Sequence, residues 1–286
     1  MSSNLIKAII NIVNNPIIDL SERVRQRRGR NRMNNMGVQL EEYIKDVFAG
    51  TISVSNEDTR NEMLRHCFCY MGDQNHPPDM IITHGDAIEV KKIEKAGITL
   101  SLNSSYPKAK LLSNSSMITE ACRNCELGWV EKDIIYAIGV LRKNIISQLS
   151  FVYGIDYAAS QAIYENTADS IQVRVRNIPT IKLAKTKELG RVNKVDPLGI
   201  THLRIRGMWQ IENPIRAFNN VYTPNNARSF NLMAIINLDK YRSFRETSEL
   251  ESLADRMENL LVGDVRIKSP DDPTVMKDAK LITFSL

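Results

Sequence analysis

Apolar residues recur along this chain with two different periods, and the switches between them mark out its elements. Leu5, Ile6, Ile9, Ile10 and Val13 fall at helical spacing, which predicts an amphipathic first helix ended by Asn15-Pro16. From Gly37 onward Leu40, Tyr43, Ile44, Val47 and Phe48 do the same, on a helix that Gly50 stops. Because residues on a helix turn by about 100° each, Glu41 falls at the edge of that apolar face and can look into a cleft. Glu42 falls nearly opposite and looks at solvent. After a polar, mostly helical segment the period changes. Asp79 to Thr83 and Ala87 to Ile93 read as strands joined by His84-Gly85-Asp86, a short glycine-containing hairpin connection. Ile134 to Leu141 is continuously apolar, as a strand buried on both faces should be, and Leu149 to Tyr153 is a further strand. Ser115 to Cys125 and Tyr157 to Asp169 read as helices, Ile200 to Ile205 and Phe230 to Ile236 as strands. The tail offers a helix carrying Leu250, Leu253, Met257, Leu260 and Leu261, then strands at Val265 to Lys268 and Leu281 to Ser285.

No internal repeat, low-complexity tract or Pro/Gly/Ser-rich linker divides the chain, so the expected fold is a single α/β domain over residues 1–286, a mixed central sheet flanked by helices. With 286 residues, 43% of them hydrophobic and 25% charged, the chain can bury one substantial core and is not a disordered polymer. Met1-Ser2-Ser3-Asn4 is no secretory leader, and the longest apolar run is far too short to span a bilayer, so a soluble, cytoplasmic protein with no membrane partner is expected.

The net charge of +5 is modest, but its distribution is not even. Six arginines fall between Arg23 and Arg32, a stretch without apolar periodicity that reads as a loop or arm. Nine Lys and Arg between Arg174 and Arg206 face only Glu188 and Asp196, while acidic residues collect toward the C-terminus. That polarity points to a nucleic acid partner.

The candidate chemistry lies at Ala87-Ile88-Glu89-Val90-Lys91-Lys92-Ile93. Strand alternation puts Glu89 and Lys91 on one face and Ile88 and Val90 on the other, with Lys92 pointing away from Lys91. A hairpin through Gly85 brings Asp79, which follows Pro78, beside them. Two carboxylates at close range repel unless a cation lies between them, and carboxylate oxygens suit Mg2+. A lysine beside that metal positions or deprotonates a water, and phosphodiester hydrolysis fits the set. Alone, Glu-x-Lys is common as a solvated charge pair. Pro78-Asp79, the turn, Glu41 and the basic segments are what lift this one above that reading. Asp86, in the turn, reads as a turn or capping residue rather than a ligand.

Pro78-Asp79 with Glu89-Val90-Lys91 resembles the PD-(D/E)xK nuclease motif, and Gly37-Val38-Gln39-Leu40-Glu41 resembles the helix-glutamate segment that precedes it in many type II restriction endonucleases. Over most of its length the chain is similar to the NgoPII-type restriction endonucleases, through Gly29-Arg30-Asn31-Arg32, Leu40-Glu41-Glu42-Tyr43, residues 85–92, residues 102–108, residues 132–136, residues 187–193 and Arg206-Gly207-Met208-Trp209. The resemblance implies a bacterial homodimer that cuts both strands of a short palindrome, GGCC being typical of the family, with no nucleotide cofactor. It implies that Asp79 and Glu89 bind one or two Mg2+, that Lys91 attends the attacking water, and that Glu41 assists through a water on the metal or a hydrogen bond. A restriction-endonuclease-like core at about 37–155 then carries DNA-recognition and dimerisation additions in 1–36 and 156–286.

Three segments are candidates for DNA contact. Arg28, Arg30, Asn31, Arg32, Asn34 and Asn35 combine the residue types that read guanine and adenine edges, with a phosphate-binding arm as the commoner use of any one arginine. Asn103, Ser104, Ser105, Lys108 and Lys110 follow the catalytic strand and would meet the backbone near the cut, unless they form an ordinary polar loop. Arg191 and Asn193, with Arg204 and Arg206 on one face of a strand, form the third, which fits a groove or a solvated face. Cys67, Cys69, Cys122 and Cys125 allow a structural Zn2+ site, although buried free thiols are the commoner outcome. Two other functions stay open on residues alone: a structure-selective repair or junction nuclease, and a non-catalytic, zinc-stabilised DNA-binding protein.

Overall fold

A computed structural model describes residues 3–21, 36–72, 76–102, 104–177 and 189–286. It begins with helices α1 (Leu5–Asn14), α2 (Met36–Ala49) and α3 (Glu57–Cys67). Strands β1 (Phe68–Met71), β2 (Met80–Ile82), β3 (Ala87–Ile93), β4 (Leu100–Ser101) and β5 (Lys110–Leu112) follow, then a single helical turn α4 (Glu120–Arg123). A long hairpin, β6 (Glu131–Arg142) and β7 (Ile145–Tyr153), leads through α5 (Gly154–Tyr157) into α6 (Gln161–Arg176). Short β8 (Gly190–Val192), β9 (Leu203–Ile205), β10 (Gln210–Ile211) and α7 (Pro214–Ala217) precede the C-terminal β11 (Asn231–Asn237), α8 (Leu238–Ser243), α9 (Thr247–Ala254), β12 (Leu260–Lys268) and β13 (Met276–Ser285).

Nine of these strands form one sheet in the order β1-β2-β3-β6-β7-β11-β13-β12, with β5 beside the start of β6. The β3/β6 and β7/β11 pairs are parallel and the rest antiparallel, so the sheet is mixed, as the sequence pattern predicts. The unbroken apolar run on β6 follows from burial on both sides. Ile135, Ala137 and Leu141 join the core under α1 and α2, whereas Ile134, Tyr136, Ile138 and Val140 join a second core on the opposite face. Lys143 and Asn144, both at positive φ, make the two-residue connection between β6 and β7, the geometry of a type I′ hairpin turn.

Helix α2 is seated by its predicted face. Leu40, Tyr43, Ile44, Val47 and Phe48 are all buried, and Gly50 takes φ +68 where the helix stops. Gly139 on β6 clears space for it, since a Cβ there would lie 2.7 Å from Leu40 Cδ2. Helix α1, capped by the Asn4 side chain accepting from the Lys7 N–H, packs alongside with Leu5, Ile6, Ile9 and Ile12 buried.

Several elements depart from the pattern-based expectation. Of Ser115 to Cys125 only the four residues of α4, capped by Thr119, are helical. The helix expected from Tyr157 starts instead at Gln161 and runs to Arg176. The tail helix ends at Ala254, and Leu260 and Leu261 open β12, where nine residues pair with β13. There Leu260 is buried and Leu261 exposed, so period-two alternation displaces the helical spacing that their sequence suggests. No helix among the described residues is long and apolar enough to cross a membrane.

Glu42 does not look at solvent. It sits within reach of Arg60 Nη2 (2.8 Å) and Lys45 Nζ (2.9 Å), because α3 folds back over that side of α2. Arg60 is 4% exposed and its Nε donates to Asp46 Oδ1 at 2.6 Å, while Asp46 is fully buried and also accepts from Thr51 Oγ1 at 2.6 Å. Removing one partner of such a pair strands the other charge in a medium that cannot solvate it. Arg60→Ala is expected to lower the unfolding free energy by about 3–5 kcal/mol, measured by urea denaturation. Arg60→Lys should recover only part of this, because one ammonium cannot reproduce the forked contacts. A wild-type midpoint for Arg60→Ala would remove the network from any structural role.

Candidate active site

The site begins with the β2/β3 register. Met80 pairs with Ile88 and Ile81 with Ala87, so one step further places Asp79 opposite Glu89. Met80, Ile82 and Ile88 anchor the hairpin in one core, which turns Glu89 and Lys91 toward the other face. The turn is made with His84 in the left-handed region at φ 55. Asp86 is no ligand here: its carboxylate accepts from Tyr153 Oη and Lys240 Nζ, both at 2.7 Å, and ties the turn to β7 and α8.

Asp79, Glu89 and Lys91 line one cleft of about 370 Å³ together with Ser104, Ser105, Lys108 and Tyr136. Lys91 Nζ lies 2.6 Å from Glu89 Oε1. The Val90 N–H donates to Asp79 Oδ2 at 2.6 Å, and Asp79's own carbonyl accepts from the Gly72 N–H at 2.7 Å. Burial, followed by the facing Glu89 carboxylate, pushes the Asp79 carboxyl up to about 7, against the pull of Lys91 and the Val90 N–H. Burial works to strip the Lys91 proton, but Glu89 and Asp79 outweigh it and hold that amine above its ordinary value.

Glu41 does not line the cleft, yet its charge is felt at both Asp79 and Lys91, and it is held by Lys45 Nζ at 2.8 Å. The sequence-predicted catalytic set is thus assembled, with Glu41 one layer back.

These side chains fit a hard divalent cation. Glu89 is 9% exposed, and its Oε2 is buried without a hydrogen-bond partner among the described residues. Burial and that second carboxylate together leave Asp79 protonated more readily than usual. A divalent cation held by these residues would supply the charge that both features lack. Among the described residues no group of three or more His, Cys, Asp or Glu is placed to hold a metal. That donor set suits Mg2+, which takes one or two carboxylates and completes its shell with water and phosphate oxygens. The cysteines do not build the alternative Zn2+ site. Cys67 packs against the core under α1, whereas Cys69, Cys122 and Cys125 belong to the opposite core, with Cys69 and Cys125 sulfurs 3.1 Å apart.

The loop over the cleft carries the features that sequence alone did not reveal. Tyr136 stands beside Glu89 across the parallel β3/β6 pair. Its hydroxyl accepts from the Lys108 N–H at 2.7 Å and donates to the Lys108 carbonyl at 3.2 Å. Gly154 lies so close beneath that a Cβ would stand 2.6 Å from the Ala109 carbonyl oxygen and collide with that of Lys108. Tyr106 stacks on Tyr164 at 5.5 Å and meets Trp209 edge-on at 6.2 Å. The parallel register that brings Tyr136 beside Glu89 leaves no mark in either segment.

Of the predicted DNA contacts, Ser104, Ser105 and Lys108 reach the cleft, and Lys110 does not; it pairs with Glu131 on the neighbouring strand. Arg191, Asn193, Arg204 and Arg206 come together on the β8/β9 hairpin, where Arg191 pairs with Arg204 in register and Arg191 Nε donates to Asn193 Oδ1 at 3.0 Å. Arg28, Arg30, Asn31, Arg32, Asn34, Asn35 and Asn103 lie outside the described residues.

The chain matches the family model for NgoPII restriction endonuclease over residues 3–268. It is 47% identical over 284 residues to the type II restriction enzyme NgoPII of Neisseria gonorrhoeae, an alignment that covers 99% of this chain and all of that relative. No solved structure matches it.

Tyr136→Phe removes the acceptor of the Lys108 N–H while keeping the ring. An unfolding free energy lower by about 1–3 kcal/mol is expected, together with faster amide exchange at Lys108. Unchanged exchange there would show that the loop is held by something else.

Proposed function

The chain belongs to the NgoPII restriction endonuclease family, and from that premise we propose that it hydrolyses both strands of duplex DNA at a short palindrome, with the cleft of Asp79, Glu89 and Lys91 as its Mg2+-dependent active site. GGCC is the sequence that the family resemblance suggests. A homodimer working in the bacterial cytoplasm is the form that fits cleavage of a palindrome, since a twofold protein matches a twofold site. The observation that carries the active-site assignment is the buried Glu89 Oε2, without a hydrogen-bond partner among the described residues, on a residue set opposite Asp79 beside a paired lysine in a cleft.

In this reading Asp79 and Glu89 would hold one or two Mg2+. A bound Mg2+ supplies charge neutralisation at the phosphate and acidifies the attacking water. Lys91 acts as a cation. Fixed by Glu89, its amine orients that water and faces the phosphate from the β3 side. Glu41, braced by Lys45, accepts a hydrogen bond from water at the back of the cleft. Ser104 and Ser105 donate to the backbone beside the cut, and Arg191, Asn193, Arg204 and Arg206 contact DNA from the β8/β9 hairpin. Arg28, Arg30, Asn31, Arg32, Asn34, Asn35 and Asn103 add contacts on the basic and amide-rich character of their segments. Lys110, ion-paired with Glu131, is the weakest member of the set. The whole chain is taken as one endonuclease domain, since strands from Phe68 to Ser285 share a single sheet.

Digestion of a linear plasmid of known sequence with Mg2+ should give discrete fragments whose ends map to one palindrome. No cleavage of intact duplex, with cutting of branched DNA, would replace this reading by a structure-selective nuclease. Asp79→Ala and Lys91→Ala should each lower the cleavage rate by about 100-fold or more while DNA binding in EDTA persists. Wild-type rates in both would move the active site elsewhere.

A further inference from the structure

We infer that Lys108 is a second active-site lysine whose amine contacts the scissile phosphate, a role that rests on the reading of this cleft as the nuclease site. The other enclosed lysines of this chain are each paired with a carboxylate. Lys45 is paired with Glu41 and Glu42, Lys91 with Glu89, Lys132 with Glu126, and Lys240 with Asp86 and Asp133. Lys108 breaks the pattern. Its amine is enclosed in the cleft and its nearest polar contact is neutral, the Ser105 hydroxyl at 3.0 Å, with the Tyr106 ring centre 5.7 Å away. No carboxylate lies within ion-pair distance of it among the described residues. Burial, with the repulsion of Lys91 added, outweighs the attraction of Glu89 across the cleft and lowers the amine's affinity for the proton.

An enclosed ammonium without a counter-ion costs free energy that an arriving anion returns. This amine lines the cleft that also holds Asp79, Glu89 and Lys91. An anion bound there touches the proposed ligands on one side and Lys108 on the other, and in a nuclease that anion is the phosphodiester being cut.

Lys108 is also fixed in place. Tyr136 clamps its backbone N–H and carbonyl, Gly154 admits the loop at a distance no side chain would tolerate, and Ser105 accepts from the amine itself. Preorganisation of this kind places positive charge where negative charge develops as the attacking oxygen adds to phosphorus. Lys91 sits on the strand that carries Glu89, whereas Lys108 descends from the loop above. The two lysines therefore approach the phosphate from different sides, and Lys91 does not substitute for Lys108.

The test uses the full-length enzyme on a duplex carrying its mapped site. Lys108→Met keeps the apolar stem and removes the charge, Lys108→Gln keeps a polar tip should methionine disturb the loop, and Lys108→Arg keeps the charge. With enzyme in excess, the single-turnover rate of Lys108→Met and Lys108→Gln should fall by about 100-fold or more. The Kd of the same duplex in EDTA should rise less than about tenfold, because one phosphate contact among many is lost. Lys108→Arg should recover at least about a tenfold share of the rate. Neutral variants cutting within about threefold of wild type, or a Kd rising as far as the rate falls, overturns the inference and leaves Lys108 a loop residue or a backbone anchor. Asp79→Ala, run in parallel, separates the two levels. If it is inactive while Lys108→Met cuts normally, the lysine inference alone fails; if Asp79→Ala cuts normally, the reading of the cleft fails and takes the inference with it.

Discussion

Two carboxylates face one another in a buried cleft, and their mutual repulsion is the constraint around which the functional half of this protein is arranged. Asp79 and Glu89 are opposed by the β2/β3 register, which Met80, Ile82 and Ile88 fix by their burial in the core beneath. A slip of one residue would put Glu89 into that core and Ile88 into the cleft, so the hydrophobic pattern itself enforces the pairing. What offsets the repulsion in the protein alone is partial: one N–H from Val90, one amine from Lys91, and an Asp79 carboxyl that takes up its proton near neutrality. A site left in deficit in this way is organised for a cation.

Stability is provided on the other side of the sheet. The core under α1 and α2 is dense and apolar, and a charged network borders it: Arg60 with Asp46, Glu42 and Glu57, and Thr51 with Asp46. These brace α2, and α2 carries Glu41 and Lys45 toward the cleft. Helix packing thus converts core stability into the position of a charge. The cleft can remain electrostatically unsatisfied because the opposite face is not.

Much of this was legible in the chain. Glu89 and Lys91 share a face because strands alternate, and the hairpin spacing brings Asp79 beside them; both consequences are local and follow from backbone geometry. The faces of α1 and α2 are equally local. What escaped depended on partners far away in sequence. Glu42 was assigned to solvent because a helical wheel does not know that α3 returns to cover it. Leu260 and Leu261 continue a helical spacing, yet nine residues of pairing with β13 make them strand, since a neighbouring strand outweighs an intrinsic preference. Tyr136 and Lys108 meet through a parallel register and a glycine contact, neither of which has a sequence signature.

That last pair of contacts also bears on how the loop over the cleft is held. The loop that carries Ser104, Ser105 and Lys108 is entered through β4, which pairs with β10, and the Leu102 N–H donates to the Trp209 carbonyl at 2.9 Å. Trp209 in turn packs edge-on against Tyr106 and Tyr164. Four residues before β10 in the chain lies Arg206, and before it the β8/β9 hairpin with Arg191 and Arg204. The loop that carries Lys108 and the strand that follows Arg206 are therefore joined by hydrogen bonds, and the β8/β9 hairpin is tied to them through the chain. Tyr136 and Gly154 hold the loop from below, so it lies between the large sheet and the β4/β10 pair. Held on both sides, the loop presents the Lys108 amine to the cleft in a fixed position.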